Sequence, residues 1–223
     1  MNHVALLIFL ALAQTPPETR DALTIAITTG NVQSVKDALA HGSNWKSKNK
    51  DGIPALILAA DSGQDAIVRL MLNDPEQKSV FALGTPLTDK QHRTALTAAA
   101  ASGHRSTVLE LLAIASEGLS SKVRPIVRRS AGDPGFDPAQ EAIGGLIAAT
   151  MARSVLLNTP DENAVTALMF ASQRGWQDVA DSLVNAGADA QLRDKNGMTA
   201  SVYAENAGHA SLAASLRLAE AKR

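Results

Sequence analysis

The stretch that decides the fold runs from residue 161 to residue 209, where one pattern is written in full and then begun again. Its first line reads Asp161-Glu162-Asn163-Ala164-Val165-Thr166-Ala167-Leu168-Met169-Phe170-Ala171-Ser172-Gln173-Arg174-Gly175. The second line begins thirty-three residues later and reads Asp194-Lys195-Asn196-Gly197-Met198-Thr199-Ala200-Ser201-Val202-Tyr203-Ala204-Glu205-Asn206-Ala207-Gly208. A fixed period of this length is typical of proteins built from stacked copies of one small unit.

The pattern predicts a pair of short helices in each unit. Thr166 is a suitable N-cap for the first helix, and Gly175 supplies the left-handed backbone that ends it. Four apolar residues of this helix are predicted to face a neighbouring repeat: Ala167, Leu168, Phe170 and Ala171. A second helix is predicted over 177–185, with Val179, Ala180, Leu183 and Val184 at helical spacing. Gly187 ends it, and Asn196-Gly197 marks the next hairpin turn.

The glycine that closes the first helix gives the register of the other copies. It recurs as Gly30, Gly63, Gly103, Gly175 and Gly208, at steps of 33, 40, 72 and 33 residues. Five copies satisfy the minimum of about three that a stack of such units needs, because one unit cannot bury its own apolar face. The first copy lacks a hairpin and the last ends in a charged tail, as expected of end caps.

These features together resemble the ankyrin repeat over residues 20–116 and 159–215. They are the Asp-x-Asn turn, Thr-Ala at the start of a helix, the glycine after it, a second apolar helix and Gly187-Ala188-Asp189. The resemblance implies an all-α solenoid of about five repeats with β-hairpin-like turns. It also implies a non-catalytic scaffold that binds another protein through its concave surface.

Residues 117–158 lie outside the resemblance and admit two interpretations. The 72-residue step contains a full repeat and 39 further residues, with a helical pattern near 139–157. The segment is either a helical insertion after the third repeat or a diverged sixth repeat. We favour the insertion, because no Thr-Ala-Leu line and no closing glycine align within it.

The first thirteen residues predict a cleaved signal peptide. An apolar run from Val4 to Ala13 ends in Ala11-Leu12-Ala13, a small-x-small site before Gln14. As a helix the run spans about 15 Å, half of a bilayer core, so we expect no integral membrane anchor. The absence of Lys and Arg before the run favours the alternative, a helix that covers the open end of the solenoid. We therefore expect an ankyrin-repeat domain over 14–223, periplasmic or secreted if the leader is cleaved and otherwise cytoplasmic.

Composition excludes several classes of function. Hydrophobic residues make up 45% of the chain but aromatic residues only 3%, which suits a core of alanine and aliphatic side chains. The net charge of −1 gives no field that favours nucleic acid. The chain has no cysteine, so disulfides, thiol catalysis and cysteine-ligated zinc are excluded.

No catalytic, cofactor or metal site is predicted. The histidines are His3, His41, His92, His104 and His209, and they fall in different copies at no ligand spacing. Asp133 and Asp137 are explained by Asp-Pro turns rather than by a calcium loop. The basic cluster Lys122, Arg124, Arg128 and Arg129 either contacts phosphate or an acidic protein or forms a solvated helix face. Without interleaved aromatic residues, nucleic acid is the weaker of the functional choices.

The ankyrin resemblance assigns partner contacts to the hairpin turns and to the ends of the first helices. The predicted contact residues are Lys48, Lys50, Asp51, Lys90, Arg93, Glu162, Gln173, Arg174, Arg193, Lys195 and Asn196. With Asp61 included, these positions carry a net charge of +4. We therefore expect a monomer that binds a protein with an acidic surface. The alternative is a dedicated inhibitor or protective factor that grips one enzyme with residues 117–158.

Overall fold

The computed structural model describes residues 17–41, 43, 47–73, 87–122, 150 and 153–221, with 17–21 and 116–122 described by their backbone alone. The expected signal peptide lies outside the described residues. So do the turn that contains Asp133 and Asp137, the basic residues Arg124, Arg128 and Arg129, and most of the helical pattern near 139–157.

The described chain consists of helix pairs stacked in two layers. The inner helices are α1 (Pro17–Thr28), α3 (Ala55–Asp61), α5 (Ala95–Ala101), α7 (Ala167–Arg174) and α9 (Ala200–Asn206). The outer helices are α2 (Val32–Ala40), α4 (Asp65–Leu72), α6 (Arg105–Lys122), α8 (Gln177–Asn185) and α10 (Ala210–Ala221). Each inner helix packs on the inner helix of the next pair and on its own outer helix. We number these pairs as repeats 1 to 5, and the predicted all-α solenoid is confirmed.

Local signals place the helix ends where the sequence predicts them. The Thr166 hydroxyl accepts a hydrogen bond from the Met169 N–H at 3.4 Å, which confirms the predicted N-cap. Thr94 caps α5 in the same way, since its hydroxyl accepts from the Thr97 N–H at 3.2 Å. The helix predicted over 177–185 is confirmed as α8. Gly175 ends α7 with φ +73° and Gly187 follows α8 with φ +103°, both in the left-handed region.

Side chains from one repeat cover the closing glycine of the repeat before it. Gln64 lies over Gly30, His104 over Gly63, Trp176 over Gly103 and His209 over Gly175. A methyl group at Gly103 would come within 2.7 Å of the Trp176 ring, so only glycine allows this packing. At Gly208, which belongs to the last repeat, no described residue other than its chain neighbours comes within 4 Å of the same position.

The core between the layers is built from alanine and aliphatic side chains. The inner helices α3 and α5 contribute Ala59, Ala60, Ala99 and Ala100, each fully buried, and their small side chains let neighbouring inner helices approach closely. Larger side chains such as Leu96 and Leu111 fill the space between inner and outer helices. This agrees with the low aromatic content of the sequence.

Repeat 4 stacks directly on repeat 3 across the 72-residue step. Helix α7 packs on α5, and α8 packs on α6. The Trp176 Nε1 donates to the Ala101 carbonyl at 3.2 Å, and the Arg105 Nε donates to the Ser182 hydroxyl at 3.1 Å. Helix α6 continues to Lys122, six residues beyond the end of the sequence resemblance at 116. The chain returns to the stack through helical residues 153–158, where Leu156 and Leu157 are buried in the core.

Among the described residues, no helix is both long enough and apolar enough to cross a membrane.

Candidate partner-binding surface

Four turns with the same hydrogen-bond pattern precede the inner helices of repeats 2 to 5. They span residues 49–53, 89–93, 161–165 and 194–198. In each turn the N–H of the first residue donates to the carbonyl of the fifth, at 2.9 to 3.2 Å. The side chain of the first residue accepts hydrogen bonds from the N–H groups of the third and the fifth residues, at 2.8 to 3.0 Å. That first residue is Asn49, Asp89, Asp161 or Asp194.

The fourth residue of every turn has a left-handed backbone. Gly52 and Gly197 have φ of +81° and +78°, and the value at Gly197 confirms the turn predicted from Asn196-Gly197. His92 and Ala164 occupy the same position with φ of +61° and +64°, where a side chain costs about 1 kcal/mol. The turn geometry is therefore imposed by its hydrogen bonds even where glycine is absent.

Adjacent turns are joined by backbone hydrogen bonds in the second half of the stack. The Glu162 N–H donates to the Gln91 carbonyl at 3.1 Å, which links repeats 3 and 4. The Lys195 N–H donates to the Asn163 carbonyl at 3.1 Å, which links repeats 4 and 5. The equivalent pair between repeats 2 and 3, the Lys90 N–H and the Asp51 carbonyl, forms no such bond. Instead the Lys90 side chain lies over Gly52.

The predicted contact residues fall into two groups in space. Most of them are exposed on the turns, which stand in a row along one edge of the stack: Lys48, Lys50, Asp51, Lys90, Glu162, Arg193, Lys195 and Asn196. Gln173 and Arg174 are exposed at the other end of α7, a helix of eight residues that is about 12 Å long. The turns and the helix ends therefore form two edges of the inner face rather than one continuous line.

Arg93 differs from the other predicted contacts because its charge is already paired. Its guanidinium forms an ion pair with the Asp89 carboxylate at 2.8 Å, and Asp89 itself is buried. Asp61, at the end of α3, is also engaged, since its carboxylate accepts a hydrogen bond from the Ser102 hydroxyl at 2.8 Å.

Three further acidic residues lie in the turns that carry the predicted contacts. Asp89, Asp161 and Asp194 lie inside the same turns but were left out of the predicted contact set. Their inclusion lowers the net charge from +4 to +1. The recurrence of an acid or Asn at the first position of each turn was the sequence signal that could have found them, because such side chains commonly cap turns.

The turn of repeat 5 is fastened by an additional contact from its own inner helix. The Tyr203 hydroxyl donates to the Asp194 carboxylate at 2.8 Å. Burial raises the pKa of the Asp194 carboxyl, but hydrogen bonds from Met198, Tyr203 and Asn196 together outweigh burial and leave that pKa below its usual value. Burial, followed by the hydrogen bond to Asp194, raises the pKa of Tyr203 to about 12.

The described histidines have structural positions. The His104 Nε2 donates to the Asp61 carbonyl at 3.0 Å while its ring covers Gly63. The His41 Nδ1 contacts the Asp37 carbonyl at 2.7 Å at the end of α2. Within the part of the chain that the structure describes, no three metal-ligating side chains come together.

Comparison with known proteins gives one family. A family model for ankyrin repeats in three copies matches residues 23–122, and a model for a single ankyrin repeat matches residues 164–195. The two matches cover more than half of the chain and leave out the segment between repeats 3 and 4. No curated protein matches the chain significantly.

Proposed function

Because the chain belongs to the ankyrin-repeat family, whose repeats generally mediate contacts between proteins, we propose that it is an exported, non-catalytic scaffold that binds one partner protein. The partner presents an acidic surface to the edge formed by the four turns. The scaffold works as a monomer in the periplasm or outside the cell.

The observation that carries this proposal is the row of exposed turns. Each turn is held by its own internal hydrogen bonds, and the turns of repeats 3, 4 and 5 are also tied to one another. Such a surface is ordered before it meets a partner, so binding costs little conformational entropy. Lysine and arginine side chains on it attract acidic partners and raise the association rate.

The binding test follows the association rate as ionic strength rises. A native partner is first captured from the compartment in which the protein resides. Its association with the wild type and with a variant that combines Lys48→Glu, Lys90→Glu and Lys195→Glu is then measured. Arg93 is left unchanged, because its reversal would break the ion pair with Asp89. We expect slower association and a flatter salt dependence in the variant, with an unchanged circular dichroism spectrum. Equal rates for both proteins would rule the turns out as the binding edge.

The same capture separates the scaffold from the alternative function, an inhibitor that grips an enzyme with residues 117–158. The direct packing of repeat 4 on repeat 3 supports the proposal that this segment is an insertion. Replacement of residues 123–149 by a flexible linker should then leave the stack folded. Retained capture of the partner favours the turns, whereas loss of capture assigns the function to the insertion.

Export is tested by intact mass. A signal peptide cleaved after Ala13 leaves a mature chain that begins at Gln14. Protein purified from its native host should lack residues 1–13 and appear outside the cytoplasm. A cytoplasmic chain that retains Met1 would refute the export part of the proposal.

A further inference from the structure

The turns of repeats 2 and 3 differ from the turns of repeats 4 and 5 in charge. We count each turn together with the residue before it, as 48–53, 88–93, 160–165 and 193–198. The turns of repeats 2 and 3 together carry a net charge of +2, whereas the turns of repeats 4 and 5 together carry a net charge of −1. One cause is Asn49, which performs in repeat 2 the role of the aspartates in the other three turns but is neutral.

These two turns also differ in their backbone. The Lys90 N–H and the Asp51 carbonyl do not form with each other the backbone hydrogen bond that joins the later turns.

We propose that the turns of repeats 2 and 3 are the docking point for an extended acidic segment of the partner. Lys48, Lys50 and Lys90 are exposed and supply three cationic groups for the carboxylates of such a segment. The free Lys90 N–H and Asp51 carbonyl supply one donor and one acceptor for its backbone. This inference rests on the proposed function and adds that the N-terminal half of the edge dominates binding.

The probe is a fluorescein-labelled glutamate peptide of about ten residues, with a glutamine peptide of the same length as the neutral control. Fluorescence anisotropy compares two variants that reverse the same number of charges. Lys48→Glu with Lys50→Glu should weaken binding at least about fivefold, whereas Arg193→Glu with Lys195→Glu should weaken it less than about twofold, given typical exposed-pair energies. Circular dichroism verifies that both variants fold.

A second pair of variants changes charge while it preserves turn geometry. Asn49→Asp installs in repeat 2 the residue that closes the other turns, so the hydrogen bonds stay and the local charge falls by one. We expect binding to weaken about two- to threefold. Asp161→Asn makes the opposite change in repeat 4 and should alter binding by less than that.

Amide shifts in nuclear magnetic resonance spectra report the backbone part of the proposal. The Lys90 amide should move on addition of the glutamate peptide, whereas the bonded amides of Glu162 and Lys195 should not. Equal losses in the two double variants would overturn the inference and leave the proposed function standing. A glutamate peptide that binds no better than the glutamine peptide would overturn the inference and the acidic partner of the proposed function together.

Discussion

Replacement of Gly103 by alanine separates two physical costs that the stack imposes on its glycines. Gly103 and Gly208 have nearly equal φ, +80° and +83°, so an alanine at either position pays the same left-handed backbone cost of about 1 kcal/mol. They differ in their neighbours. A Cβ at Gly103 would meet the Trp176 ring at 2.7 and 2.8 Å, but a Cβ at Gly208 would meet nothing within 4 Å.

The steric cost at Gly103 follows from the contact that the new methyl group would displace. Carbon atoms pack at about 3.5 to 4.0 Å, so the indole must move by about 1 Å. That movement breaks the bond from Trp176 Nε1 to the Ala101 carbonyl, which contributes about 1 kcal/mol, and loosens the ring's contact with repeat 3. We therefore expect Gly103→Ala to lower the free energy of unfolding by about 3 kcal/mol and Gly208→Ala to lower it by about 1 kcal/mol.

Urea unfolding followed by circular dichroism measures both values, and a double-mutant cycle isolates the steric part. In a Trp176→Ala background the ring is absent, so Gly103→Ala should cost only the backbone strain of about 1 kcal/mol. The interaction energy between the two positions is then about 2 kcal/mol. Equal losses at Gly103 and Gly208, or an interaction energy near zero, would show that the Trp176 ring does not hold the junction between repeats 3 and 4.

Three further predictions concern the turns. Ala164→Gly should raise the free energy of unfolding by about 0.5 to 1 kcal/mol in urea titrations, because Ala164 has φ +64°. The control Ala207→Gly, at φ −85°, should not stabilise the protein. A lower free energy of unfolding in Ala164→Gly would contradict the backbone strain at Ala164. Asp161→Ala should lower it by about 1 to 3 kcal/mol, since the N–H groups of Asn163 and Val165 lose their acceptor, and Asp161→Asn should recover most of the loss; equal losses would refute the capping role. Tyr203 is the only tyrosine, so ultraviolet absorbance at alkaline pH reads its titration directly, and the expected pKa is about 12. Because this pKa is raised above the unfolded value of about 10, the stability that the hydroxyl contributes is present below pH ~10 and is lost as pH rises toward 12. Tyr203→Phe should flatten that pH dependence, and a wild-type titration near pH 10 would contradict the contact with Asp194.

The candidate surface was partly predictable from sequence. Exposure of Lys48, Lys90 and Lys195 follows from their place in polar turns between apolar helices. The pairing of Arg93 with Asp89 spans only four residues, so it was predictable from the sequence, whereas the ankyrin resemblance assigns contacts and not turn-closing residues. The backbone hydrogen bonds from Glu162 to Gln91 and from Lys195 to Asn163 were not predictable, because they depend on how each repeat is positioned relative to the next one in the stack.

Elements with local causes can be predicted from the amino-acid sequence alone. Thr166 as an N-cap, Gly175 in a left-handed conformation and α8 over Gln177–Asn185 all follow from hydrogen bonds and apolar spacing within a few residues. The contacts between repeats, in contrast, depend on the tertiary structure. Repeat 4 contacts repeat 3 through Trp176 and Gly103, which are 73 residues apart in the chain. The spacing along the chain does not tell whether the segment between these repeats lies in the stack or outside it. The links between turns depend on the stack in the same way, since the Glu162 N–H meets the Gln91 carbonyl only because repeat 4 packs on repeat 3.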